Sequence, residues 1–198
     1  VYKRQLYYNE ALESLDLPSL VEVKNFFIND GKSLKSLTLP QLREVGSSFL
    51  YYNQVLESLN APMLEKTGGY FLFCNTTLKA LNLPSLRKVG DCFIYLNETI
   101  ERLDLPQLEE VGDDFLRCNM ALKALVLPSL RKVGNAFLCE NQAIRNLNLP
   151  RLEKVGNGFL YFNTSLQSVD LPRLKKVGVG FLGKCTDTKH PGKMRNAG

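Results

Sequence analysis

Leu78 to Thr99 reads LKALNLPSLRKVGDCFIYLNET, and this 22-residue stretch decides the fold because the rest of the chain repeats it. Proline recurs at Pro18, Pro40, Pro62, Pro84, Pro106, Pro128, Pro150 and Pro172. A phenylalanine follows each, from Phe27 and Phe49 through to Phe181. Between them stands glycine at Gly46, Gly68, Gly90, Gly112, Gly134, Gly156 and Gly178, with Lys24 in the first copy. No insertion interrupts the count between residues 12 and 182. A strict period of this length predicts a solenoid, in which each coil buries its apolar face against its neighbours.

In the quoted copy Leu81 and Leu83 alternate with Ala80 and Asn82, the two-residue period of a strand. Pro84 has no N–H to give a ladder and ends that strand. Leu86 and Val89 turn inward across an extended corner. Gly90 is expected to supply a backbone angle that other residues resist. Phe93 and Ile94 are expected to begin a second short strand, and Asn97 closes the coil. The stretch from proline to asparagine carries a glycine and lacks the apolar stripe of a helix. The fold class read from this is a solenoid, mostly β, with two parallel sheets and little or no helix. Eight 22-residue coils plus an N-terminal half coil make a rod about 40 Å long at about 4.8 Å per coil.

At 198 residues and 44% hydrophobic, the chain has ample material for one continuous core. No apolar run approaches the roughly 18 residues of a membrane span, and no signal peptide is visible. Val1 to Ala11 aligns with the second half of a repeat, such as Val89 to Thr99. The organisation is therefore a half repeat over residues 1–11, the solenoid over 12–182 and a basic tail or linker over 183–198. Beginning in mid-coil, the chain reads as a piece of a longer protein.

The net charge of +5 is uneven: residues 1–122 hold 12 Lys/Arg against 16 Asp/Glu, and residues 123–198 hold 13 against 4. Such a dipole can steer acidic partners; drift among solvated positions plus a basic tail is the simpler account. Two exposed columns alternate in sign from coil to coil. One runs Glu13, Lys35, Glu57, Lys79, Glu101, Lys123, Arg145, and the other Arg43, Glu65, Arg87, Glu109, Arg131, Glu153, Lys175. In-register stacking would set identical charges about 5 Å apart, and alternation turns that repulsion into attraction.

The five cysteines are scattered. Cys74 and Cys118 share a column two coils apart, about 10 Å on the spacing of stacked strands, too far to bridge. They read as free thiols. The asparagine column, Asn53, Asn75, Asn97, Asn119, Asn141 and Asn163, includes three glycosylation sequons, at Asn75-Thr76-Thr77, Asn97-Glu98-Thr99 and Asn163-Thr164-Ser165. Its simpler reading is structural, with amides bonding backbone groups that a bend leaves unpaired.

Two surfaces are candidates for a partner. One is the outward face of the Leu-Pro strands, with Thr38, Asn60, Asn82, Arg102, Asp104, Asn146 and Asn148. The other is an aromatic column, Tyr7, Tyr51, Phe73, Tyr95 and Tyr161, flanked by Tyr8, Tyr52 and Phe162. Rings in a row pack against proteins or sugars, and they also support a sheet simply by lying on one another. No catalytic or metal-ligating constellation appears, and the single histidine, His190, lies in the tail. Alternating signs argue against a nucleic-acid surface. No cofactor is expected.

The pattern LxxLxLPxLxxVGxxFLxxN, seen clearly in Leu34 to Val55 (LKSLTLPQLREVGSSFLYYNQV), resembles the BspA-like, or Treponema-type, leucine-rich repeat over residues 1–182. Two features depart from that family: the unit is about one residue short, and asparagine mostly replaces the closing cysteine. The resemblance implies a binding scaffold, of a kind common in surface and secreted proteins and linked to adhesion. The expected function is thus recognition of a protein or glycan by part of a larger surface or secreted protein, without a membrane span or nucleic-acid partner. The alternative is a spacer or self-assembly scaffold, monomeric or associating end to end through uncapped coils, with a cytoplasmic location then open.

Overall fold

The structure is a computed structural model that describes residues 6–7 and 9–183. Residues 184–198 of the basic tail, with Cys185 and His190, and Tyr8 lie outside the described residues. The chain winds into a solenoid of short parallel strands with no helix among the described residues. Sixteen strands, β1 to β16 in chain order, fall into three rows.

The first row is the Leu-Pro face: β4 (Ser36–Thr38), β7 (Ser58–Asn60), β9 (Ala80–Asn82), β11 (Arg102–Asp104), β13 (Ala124–Val126), β15 (Asn146–Asn148) and β16 (Ser168–Asp170). Every pairing within it is parallel and in register, as in Leu37 with Leu59 and Leu59 with Leu81. The row is split into three sheets, β4-β7-β9, β11-β13 and β15-β16.

The second row is continuous. It joins β2 (Glu22–Val23), β5 (Glu44–Val45), β8 (Lys66–Thr67), β10 (Lys88–Val89), β12 (Glu110–Val111) and β14 (Lys132–Val133) in one six-stranded sheet. Single bridges extend it from Lys132 to Lys154 and on to Lys176. The corner segment after the proline is therefore itself a sheet, since its inward Val and outward charge alternate as strands do. The third row, the one expected at Phe-Leu, is limited to β1 (Leu6–Tyr7), β3 (Ile28–Asn29) and β6 (Leu50–Tyr51). From Leu116 on, the residue after the phenylalanine adopts a left-handed angle (φ 58° at Leu116, 53° at Leu138), which is incompatible with a strand.

Phenylalanine forms the spine. From Phe27 to Phe181 neighbouring rings stack with centroids 5.2–5.6 Å apart and planes within 3–8°. Around them lie the leucines of both rows, such as Leu83, Leu86, Leu105 and Leu108, fully or almost fully buried.

The glycine column has a different cause from the one expected. Gly46, Gly68, Gly90, Gly112, Gly134, Gly156 and Gly178 have no positive φ. Their requirement is space. A Cβ on Gly90 would stand 2.6 Å from the Gly69 nitrogen and 2.7 Å from the Gly68 carbonyl carbon, backbone that cannot swing aside. The left-handed angles fall two residues later instead, at Phe26, Ser48, Tyr70, Cys92, Asp114, Ala136, Gly158 and Gly180. A second set closes the turn at Asp30, Tyr52, Cys74, Leu96, Cys118, Glu140 and Phe162.

The asparagine column is fully buried. Each amide nitrogen donates to a carbonyl of the preceding coil and to one in its own: Asn119 to Ile94 at 2.7 Å and to Arg117 at 3.2 Å, Asn97 to Leu72 at 2.9 Å and to Tyr95 at 3.2 Å. Asn53, Asn75, Asn141 and Asn163 repeat the pattern. The three sequons thus hold nitrogens that are enclosed and engaged in the folded coil.

These two kinds of glycine separate in a stability measurement. Gly90→Ala, pressed against backbone, should lower the unfolding free energy by about 2–3 kcal/mol. Gly158→Ala has φ +64° and nothing nearer than 3.8 Å, and should lose about 1 kcal/mol. Urea titration of both variants checks the order, and a costlier Gly158→Ala would contradict the close-approach reading.

Candidate functional site

Left-handed turn positions recur in every coil, and their side chains range from buried, as at Ser48 and Cys74, to exposed. The fold demands that conformation and does not demand an aromatic ring there, since Ser48, Ala136 and Gly158 occupy the first set and Asp30, Cys74 and Glu140 the second. Yet Phe26, Tyr52, Tyr70 and Phe162 are aromatic at these positions, with φ of 57°, 61°, 55° and 59°. Any residue with a Cβ is disfavoured in this region by roughly 1–2 kcal/mol. Tyr70 is 44% exposed and Tyr52 38%, so burial offsets little of that.

Tyr52 and Tyr70 flank the stacked aromatic column. Tyr51 and Phe73 lie 4.9 Å apart at 10°, and Phe73 and Tyr95 5.1 Å apart at 7°. Tyr52 tilts across this stack, 4.7 Å from Tyr51 and 5.7 Å from Phe73, and Tyr70 stands 5.7 Å from Phe73 at 57°. Five rings from three successive coils therefore form one shelf. With neighbours over both its faces, Phe73 turns an edge outward. Arg117 ends the column: its guanidinium lies 5.9 Å from the Tyr95 centroid, and its charge is met by Asp114 at 3.1 Å and Glu140 at 2.9 Å.

Burial, with Cys118 beside it, raises the Tyr95 phenol above its ordinary range. The bond to Cys74 raises Tyr52, and the neighbouring Cys92 raises Tyr70. All three hydroxyls stay protonated at neutral pH and remain hydrogen-bond donors.

The other sequence candidates are more dispersed. Tyr161 pairs with Phe162 at 4.2 Å and 77°, cut off from the shelf by Arg117 and Cys139 in its column. The backbone of Tyr7 pairs with Asn29, the column member next to Tyr51. On the Leu-Pro face, Thr38, Asn60 and Asn82 share one sheet, with the Asn82 amide nitrogen donating to the Asn60 side-chain oxygen Oδ1 at 2.7 Å. Arg102 and Asp104 pair with each other at 3.7 Å on a separate sheet. Asn146, which accepts from Ser168 at 2.6 Å, and Asn148 lie on a third. At the break between β13 and β15 a shallow groove is lined by Val126, Pro128, Asn148 and Asp170. The strand face is thus three short polar patches, whereas the shelf is contiguous. Tyr70 and Phe26 were not among the sequence candidates, because the rest of their column is Ser, Cys, Asp, Ala and Gly.

Four cysteines, Cys74, Cys92, Cys118 and Cys139, are free. Burial pushes every one of these thiols up, Cys139 to about 11, the opposite of what a nucleophile needs. Among the described residues no group of three or more His, Cys, Asp or Glu is placed to hold a metal ion. No helix of the described residues is long and apolar enough to cross a membrane.

A family model for the BspA-type leucine-rich repeat region matches residues 2–117 and 66–189, with six copies. No curated protein and no solved structure matches the chain.

The raised thiols make a pH-dependent prediction. At pH 8 about one Cys139 in a thousand should be thiolate, against about a quarter of an ordinary cysteine with a pKa near 8.5. Iodoacetamide labelling read by peptide mass spectrometry should therefore spare Cys139 at pH 8 and reach it as pH rises toward 11. Labelling at pH 8 as fast as free cysteine would contradict the burial described.

Proposed function

The chain belongs to the BspA-type leucine-rich repeat family, and on that footing we propose that it is a recognition module holding a protein partner on the Tyr51–Tyr52–Tyr70–Phe73–Tyr95 shelf. Repeats of this family are commonly adhesion or protein-interaction modules, and leucine-rich repeat solenoids are typically non-enzymatic. The single observation that carries the reading is the pair of exposed tyrosines at left-handed positions that other coils fill with smaller residues, Ser48 or Gly158 in the Tyr70 column and Asp30 or Cys74 in the Tyr52 column. The fold requires the left-handed angle in these columns but not an exposed aromatic ring there, and exposed rings gathered in one patch are a mark of a binding surface.

Ring orientation favours protein over glycan as the ligand. A sugar packs its apolar face on an open aromatic face, and the faces in the Tyr51–Phe73–Tyr95 stack are covered by one another. Ring edges with protonated hydroxyls suit mixed apolar and carbonyl contacts, and tyrosine is prominent among interface hot spots. Work at the cell surface or in the secreted space fits an adhesive role and belongs to the same proposal.

Peptides selected from a random phage-displayed library on the purified chain provide the test. Tyr52→Asn with Tyr70→Ser, both tolerant of left-handed angles, should weaken the selected binders about 30-fold or more and leave the far-ultraviolet circular dichroism unchanged. Binders that survive this change, or that depend instead on Arg102→Ala with Asp104→Ala, would reject the shelf as the site. A chain that selects no peptide and binds only a glycan array would replace the protein partner with a sugar. Binding to neither would leave the spacer reading.

A further inference from the structure

The second strand row carries outward charges at one position per coil: Glu22, Glu44, Lys66, Lys88, Glu110, Lys132, Lys154 and Lys176. Parallel register sets each directly beside the next, at about 4.8 Å. Over most of the row every like-charged pair abuts an opposite charge. Glu110 is the clearest case, bonded to Lys88 at 3.1 Å and to Lys132 at 3.0 Å, and these two lysines hold its carboxyl below the usual range. The balance then fails. Lys154 is bridged to Lys132 on one side and Lys176 on the other, and neither Lys154 nor Lys176 has a carboxylate within ion-pairing distance among the described residues.

Neighbouring columns reinforce the excess. Beside this row stand Arg131, Glu153 and Lys175, with Glu153 already committed to Lys175 at 3.1 Å. One column further on, Arg151 and Arg173 take places that earlier coils fill with Ser19, Gln41, Ser85 and Ser129. Arg131 and the lysines at 132, 154, 175 and 176 outnumber Glu109, Glu110 and Glu153 along one shallow groove. Like charges forced into register oppose the fold, and alternation elsewhere in this chain avoids that repulsion. The three final coils do not avoid it.

We propose that this basic face is a second binding site, separate from the aromatic shelf, for a linear, densely sulfated polysaccharide lying along the solenoid axis with its sulfate groups on Lys154 and Lys176. The spacing selects this class. A densely sulfated polysaccharide carries charged groups on several sides of every sugar, and its sugars advance by nearly one coil step each, so groups on successive sugars reach successive lysines whichever way each ring faces. An extended acidic peptide presents same-side carboxylates only every 6.6 Å or about that and drifts out of step. Single-stranded nucleic acid draws its affinity from bases stacked on aromatic rings, and these three columns carry no ring. Lysine, a compact point charge on a flexible stem, suits sulfate groups of variable placement.

The experiment measures binding of fluorescently labelled dextran sulfate to the full chain at physiological salt. Lys154→Gln with Lys176→Gln should weaken it at least tenfold. Lys66→Gln with Lys88→Gln removes the same charge from the same row and should change it less than twofold. Tyr52→Asn with Tyr70→Ser should leave it intact, which separates failure here from failure of the shelf. Equal losses in the two lysine pairs would overturn the proposal by reducing it to general ion exchange. Tighter binding, at matched salt, to polyglutamate, oligothymidylate or phosphatidylserine vesicles than to dextran sulfate would overturn it in favour of that class.

Discussion

Successive coils lie so close at the glycine column that a single methyl group would strike the backbone of the coil before it, and the rest of the molecule is keyed to that contact. With the coils held there, the phenylalanine rings stack at 5.2–5.6 Å, and each buried asparagine reaches a carbonyl 25 residues back. The three columns serve different needs. Glycine sets the distance between coils, phenylalanine fills the interior, and asparagine satisfies backbone groups that the turn would leave unpaired in an apolar setting. None works alone: a coil without its neighbours has no interior and no partner for its amide.

The same register governs the surface. Position n of one coil always faces position n of the next, so surface chemistry comes in rows and never as isolated residues. Where a row serves the fold, neighbouring side chains relieve one another, as in Arg43 with Glu65 at 2.7 Å and Lys123 with Glu101 at 3.0 Å. Exposed pairs of this kind contribute little stability, and their effect is to disfavour slipped registers. Rows that do not relieve themselves stand out: exposed tyrosines at left-handed angles in one, unneutralised lysines in another. In a repeat protein such local conflict points to function more reliably than any residue type does.

Much of this was legible in the sequence, and the limits are instructive. Pro84, Leu81, Phe93 and Asn97 announce strand, core and turn through spacing alone, and the amide role of the asparagines follows from the impossibility of an unpaired buried carbonyl. Gly90 was legible as necessary but not for the right reason. A periodic glycine looks the same whether it serves a torsion angle or an approach between coils, and only the geometry of the preceding coil distinguishes them. Tyr70 escaped notice because its column has no common chemistry; that column is united by its φ angle, which leaves no residue signature when Ser, Cys, Asp and Ala all tolerate it. The splitting of the Leu-Pro face after β9 and β13 likewise has no local residue signal.

The central claim, that one in-register stack is closed by buried asparagine amides, is tested most directly by side-chain amide exchange in a ¹⁵N-labelled chain. After transfer to D₂O, the NH₂ signals of Asn53, Asn75, Asn97, Asn119, Asn141 and Asn163 should persist long after those of the exposed Asn82, Asn146 and Asn148 have gone. Exchange of the six as rapid as that of the surface asparagines would mean that the amides face water and that the coils are not stacked as described.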